Sequence, residues 1–292
     1  GLQHYGNMPL IEENEFRELN GSVTNTTTND TWNATLVRGQ AADVNGTQLL
    51  GNMFVAKSSN LTLRNMVISG DYVDGTAIVP TGSLVYARNT SSSSGSRTLT
   101  LENVELKNNN RGNYASTNYY DRSGGGLFAD RYKYVTLNNV SIHDCGAYYG
   151  GGAYVRAEDS DVSVSMTDVS IHDCSAYNGG GIYFTSYDSR LYSVWANKVE
   201  NVTIRNNTAA NCGGGMFLST KVFKEHVQMN NFVIADNTAE RTGGGVYADD
   251  RSYENYLNNV TITGNTSTNG SGGGIAIIGD LYIGGTISNN YA

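Results

Sequence analysis

From about residue 50 onward, apolar and polar positions alternate in short runs that recur at fixed offsets from a repeated Gly-Gly-Gly. The triplet begins at Gly124, Gly150, Gly179, Gly213, Gly243 and Gly272, 26 to 34 residues apart. Such a period signals a stacked repeat before any other fold. After each triplet a strand-like run alternates, with Leu127/Ala129, Ala153/Val155, Ile182/Phe184, Met216/Leu218, Val246/Ala248 and Ile275/Ile277 on one side. The same run reaches upstream without glycines in Met53-Phe54-Val55 and Val85-Tyr86-Ala87. A second run ends at Asn65, Asn103, Asn139, Asp168, Asn201, Asn231 or Asn259, and a third follows at once with pairs such as Val140/Ile142 and Val202/Ile204. Three residues after the last apolar position of that run stand Asn109, Cys145, Cys174, Asn207, Asn237, Asn265 and Asn290. Residues 9–19, with Leu10, Ile11, Phe16 and Leu19 and early acids, predict a short amphipathic helix capping the first rung.

Strand, corner, strand, corner, strand at this period is the arithmetic of a parallel β-helix. Equal offsets then become vertical columns spaced by the strand separation of about 4.8 Å. The expected fold is all-β, a single-stranded parallel β-helix of about eight coils of three strands. Residues 1–50 would form an N-terminal cap and 51–292 the stack, one structural domain in all. The asparagines at ladder and corner positions suit αL geometry and amide-to-backbone bonding.

The paired motifs Gly-Gly-Gly-Ile182 and Ile204-Arg-Asn-Asn207 resemble the repeats of the chlamydial polymorphic outer-membrane proteins, over roughly residues 50–292. That resemblance implies a right-handed coil and an adhesive surface passenger. This chain departs from the pattern in its third glycine, where those repeats have alanine, and in having no C-terminal membrane barrel.

Composition narrows the function. With 39% apolar and 16% charged residues the chain can bury a core, and 35 glycines against two prolines favour one regular, tightly turned object. A net charge of −8 without a basic stripe argues against a nucleic-acid partner. No apolar run approaches the about 20 residues of a spanning helix. No cofactor motif is present, and His143-Asp144-Cys145 and His172-Asp173-Cys174 fall short of the four convergent ligands of a zinc site.

Three kinds of site remain. An outward stripe of Phe54, Tyr86, Phe128, Tyr154, Tyr183, Phe217 and Tyr247 is either an exposed face for host or matrix carbohydrate or a second core under its own loops. Asn-x-Ser/Thr sequons occur about twice as often as random order would give. The ones without a corner to explain them are Asn20, Asn25, Asn29, Asn33, Asn45, Asn60, Asn89, Asn206 and Asn269, which predict covalent N-glycans and a secreted or surface location. Cys145 and Cys174, on neighbouring rungs, are placed for a disulfide, with Cys212 left over.

An enzyme of this fold needs acids gathered on one outer face. The positions beyond the stripe hold Asp130, Arg156, Thr185, Ser219 and Asp249, with Arg131, Glu158, Asp161, Asp250 and Arg251 in nearby turns. Asp130 and Asp249 lie four coils apart, too far to act as a pair. The last residues, Gly284 to Ala292, stop within a coil. The expectation is a non-catalytic extracellular structural glycoprotein, a fibre subunit or adhesin associating head to tail. A glycan-binding module and a polysaccharide lyase or hydrolase are the alternatives.

Overall fold

The computed structural model describes residues 52–72, 82–90, 96–110, 122–158, 161–188, 191–227 and 229–292, with isolated strands between 10 and 48. Two parallel sheets wind around one apolar core. In the first, the strands Phe54–Lys57, Val85–Arg88, Leu127–Asp130, Ala153–Ala157, Ile182–Ser186, Met216–Ser219, Val246–Ala248 and Ile275–Ile277 pair in chain order. Eight successive levels enclose seven complete turns, one fewer than the coil count read from sequence, which scored each level as a turn.

The second and third runs are fused. Long strands such as Thr98–Asn110, Tyr134–Tyr149 and Val194–Arg205 carry both, bent where one residue takes positive φ. That residue is the predicted corner: Asn65, Asn103, Asn139, Asp168, Asn201, Asn231 and Asn259 all lie at φ between 51° and 58°. Short strands Ser175–Asn178, Thr208–Cys212, Thr238–Ala239 and Thr266–Ser267 extend the second sheet beyond another positive-φ corner at Asp173, Asn206, Asp236 and Gly264, matched by Asp144 within Tyr134–Tyr149. Asn and Asp tolerate this region because their side chains bond locally.

Alternation does the rest. Leu137, Val140 and Ile142 point inward and pair with Met166, Val169 and Ile171 above them, all 2% exposed or less. Each glycine of a triplet has its own reason: Gly213 takes φ +69°, and a Cβ on Gly214 would meet the Gly244 and Thr238 carbonyl oxygens. A Cβ on Gly215 would press on the amide of Asn237 at 2.8 Å.

The N-terminal helix is corrected. Leu10–Ile11 and Phe16–Asn20 are strands that pair in parallel with Phe54–Lys57 and Asn60–Tyr72. Apolar residues three to five apart fit a helix locally, but the unpaired edge of the first full rung offers backbone partners that an isolated helical turn lacks. Thr31–Arg38 also joins the strand Asn60–Tyr72, so these three described strands continue the stack.

Candidate functional site

The inner column beneath the Gly triplets is a continuous amide ladder. The Oδ1 of Asn237 accepts from both the backbone N–H and the side-chain Nδ2 of Asn207, each at 3.0 Å. Its own Nδ2 donates to the Ile204 carbonyl at 3.0 Å and to Asn265 Oδ1 at 2.9 Å. Asn207 and Asn265 repeat the pattern on Ile171 and Ile234, and Asn290 donates to Ile262 at 2.9 Å. Asn109 starts the column, donating to the Gly125 and Gly82 carbonyls. Asn109, Asn207, Asn237 and Asn265 have no exposed surface, whereas Asn290 is partly exposed.

Cys145 and Cys174 occupy two rungs of this column as separate thiols. Each Sγ donates to a carbonyl two residues back, His143 and His172, at 3.2 Å. The expected disulfide is therefore not formed, and burial together with the Cys145 thiol pushes the Cys174 thiol well up. Cys212 is also free, 8% exposed beside the aromatic rings.

Those rings form a column, but not the expected surface. Tyr86, Phe128, Tyr154, Tyr183, Phe217 and Tyr247 stack in order with centroids 4.5 to 5.7 Å apart. Tyr154 and Tyr183 pair directly across rungs. Phe128 and Tyr154 are fully buried, and Tyr183 and Phe217 are 8% and 7% exposed. Tyr149 meets Tyr183 edge-on at 5.4 Å, and with Cys212 it closes the column into a second core. The carbohydrate-face expectation is corrected, since four of the rings present almost no area to a ligand. Phe54 is corrected as well: Val55 pairs with Tyr86, and Phe54 pairs with Val85 inside the main core.

Two residues past the rings runs the polar column Arg88, Asp130, Arg156, Thr185, Ser219. Asp130 has no exposed surface and lies 3.2 Å from Arg88 Nε and 3.7 Å from Arg156 Nη1. Burial wins over the two guanidinium groups and pushes its carboxyl up to about 6. Arg156 also contacts Glu158 at 2.5 Å, and its guanidinium lies 5.7 Å from the ring of Tyr187. Asp130 and Glu158 thus share one arginine, bringing together the column position Asp130 and the nearby Glu158 that the sequence places on either side of Arg156. Further along, Ser219 donates to Asp249 at 2.6 Å, and burial raises that carboxyl. Four rungs separate Asp130 from Asp249, about 19 Å, against the 5 to 9.5 Å of a glycosidase pair.

The histidines stack too. His143 and His172 lie 4.8 Å apart at 2° between planes, each bonded through Nδ1 to the aspartate that follows it. Glu105 holds the Nε2 of His143 at 2.9 Å and Lys107 at the same distance, so the arrangement is a hydrogen-bonded polar column. Among the described residues, no three His, Cys, Asp or Glu converge as metal ligands. No helix there is long and apolar enough to cross a membrane.

Of the sequons, Asn206 and Asn269 are exposed. Asn60 is partly exposed, and its Oδ1 is taken by the Thr98 N–H at 2.8 Å. Asn89 is only 6% exposed, so it is corrected as a glycan site: the strand end Val85–Arg88 carries it under the next rung. The side chains of Asn20, Asn25, Asn29, Asn33 and Asn45 lie outside the described residues.

No curated protein and no solved structure matches the chain. Residues 54–292 match the family described as the right handed beta helix region, and the stacked parallel strands agree with that description. The chain belongs to the right-handed parallel β-helix family.

Proposed function

We propose that this chain is a non-catalytic extracellular structural glycoprotein, a rod that joins end to end in a surface fibre or adhesin. The fold is compatible with adhesive, surface and enzymatic roles, so the reading rests on the rod's own surfaces. One observation carries it. The same parallel pairing repeats from Phe54–Lys57 to Ile275–Ile277, and the amide and ring columns tie rung to rung along the stack, which supports a structural rod. In such a stack each rung meets only its neighbours, so a second copy would join coaxially, strand edge to strand edge. The exposed sequons Asn206 and Asn269 support glycosylation, and the resemblance to adhesin repeats supports a surface role.

Sedimentation velocity across a hundredfold concentration range, with negative-stain micrographs, tests this. Coaxial filaments are expected. A monomer at all concentrations, or filaments joined side by side, overturns the reading. Intact mass of secreted material should exceed the bare polypeptide by whole glycans.

A polysaccharide lyase or hydrolase is a second reading on one observation, the shared arginine between Asp130 and Glu158. It requires Tyr187 to lift from the Arg156 guanidinium. Depolymerisation of an acidic polysaccharide, abolished by Asp130→Asn, would establish it.

A further inference from the structure

Three residues past the ladder positions 145, 174, 207 and 237 stand Tyr148, Tyr177, Ala210 and Glu240, on the outside of the second sheet. Arg122 begins this column, its guanidinium 4.7 Å from the centre of the Tyr148 ring. Tyr177 lies on the other face of Tyr148, centroids 4.7 Å apart and 21° between planes. At the next level a bulge intervenes. Ala176 pairs with Ala209 and Asn178 with Cys212, so Ala210 and Asn211 together oppose Tyr177. Pairing then resumes with the Glu240 N–H donating to the Ala209 carbonyl and the Arg241 N–H to the Asn211 carbonyl, both at 2.9 Å.

The column is therefore a guanidinium, a ring, a ring, a methyl group and a carboxylate. Tyr177 and Glu240 are two rungs apart, about 10 Å, and the intervening level holds the Ala210 methyl group, with the Asn211 amide drawn aside to Asn178. That height holds one flat layer stacked on Tyr177 at the spacing the column already uses. Ala210, Glu240 and Arg241 are exposed and Tyr177 is partly exposed, so the layer opens to solvent. Asn211 is fixed at its side, donating to Asn178 Oδ1 at 2.9 Å. Bulges re-aim side chains in this way beside binding sites.

We propose that this open layer binds one pyranose ring of a glycan. The apolar face of the sugar would lie on Tyr177, with Glu240 accepting from its hydroxyl groups and Arg241 donating to them. A flat hydrocarbon ring would match Tyr177 but leave Glu240 and Arg241 without partners. A simple cation would match Glu240 but face Arg241. A pyranose offers an apolar face with donors and acceptors around its rim. This site is separate from the buried ring column and independent of end-to-end assembly.

Saturation-transfer NMR with methyl glycosides of glucose, galactose, mannose and N-acetylglucosamine tests the assignment. At least one is expected to receive saturation, with a dissociation constant of about 1–10 mM for a single ring. Ala210→Tyr should fill the layer and abolish binding while leaving the thermal midpoint equal or higher. Tyr177→Ala should weaken binding about tenfold, and Glu240→Gln less. The proposal is overturned if no pyranoside receives saturation, if binding survives Ala210→Tyr, or if methylguanidinium binds at this layer and the sugars do not.

Discussion

Replacing Asn237 by alanine is the sharpest probe of what holds the coils in register. Asn237 is fully buried and sits between two like neighbours. The change removes the acceptor of the buried Asn207 backbone N–H. An orphaned buried donor costs about 1–3 kcal/mol. The Ile204 carbonyl and the Asn265 amide each lose a donor as well, adding about 1 kcal/mol apiece. The expected loss is about 3–5 kcal/mol, a fall in melting midpoint of roughly 10 °C for a chain of this size. Asn237→Cys should cost less, because Cys145 and Cys174 fill the same column by donating to a carbonyl two residues back. Urea melts give the free energy, and hydrogen exchange at the Asn207 amide locates it. In a stack whose coils touch only their neighbours, protection should fall at the adjoining rungs and persist at distant ones. A loss under about 1 kcal/mol, or an unchanged Asn207 exchange rate, would refute the reasoning.

Two further outcomes follow from burial. Because the folded Asp130 carboxyl is lifted to about 6, folding takes up a proton between about pH 4 and 6. Stability from this group is present at low pH and lost as pH rises through that window. Melting midpoints of wild type and Asp130→Asn should therefore shift in favour of the asparagine as pH goes from 4 to 7, and a flat difference would contradict the assignment. Gly214→Ala should destabilise by about 3 kcal/mol or more, since two carbonyl oxygens occupy the Cβ site. Gly284→Ala, with its nearest neighbour 3.8 Å away, should stay within about 0.5 kcal/mol; circular dichroism melts of the two variants make the comparison.

The fold was legible because the coils from Gly124 onward repeat the same two events, a glycine triplet and an apolar residue followed three positions later by asparagine or cysteine. Where an anchor was missing, the reading slipped. Phe54 precedes the first triplet, and alternation alone leaves a one-residue ambiguity that reverses which side faces the core. The segment around Phe16 fits helix and strand equally well until the edge of Asn60–Tyr72 offers it partners. Equal spacing put Tyr154 and Tyr183 in one column, but spacing says nothing about what lies over a column. Tyr149 and Cys212 reach it from a corner, a contact no periodicity encodes. The layer above Tyr177 was present as an offset, three residues past Cys174, and stayed hidden because the column changes residue type at each step.

The amide ladder has a sense of direction. Each side-chain oxygen turns back toward the coil made before it, never toward the one made after. A chain that emerges amino end first therefore leaves each new coil with one unmet N–H, which the following coil answers on arrival. Growth in that order seals the rod behind itself like a ratchet, whereas winding from the other end would leave acceptors waiting on donors not yet in place.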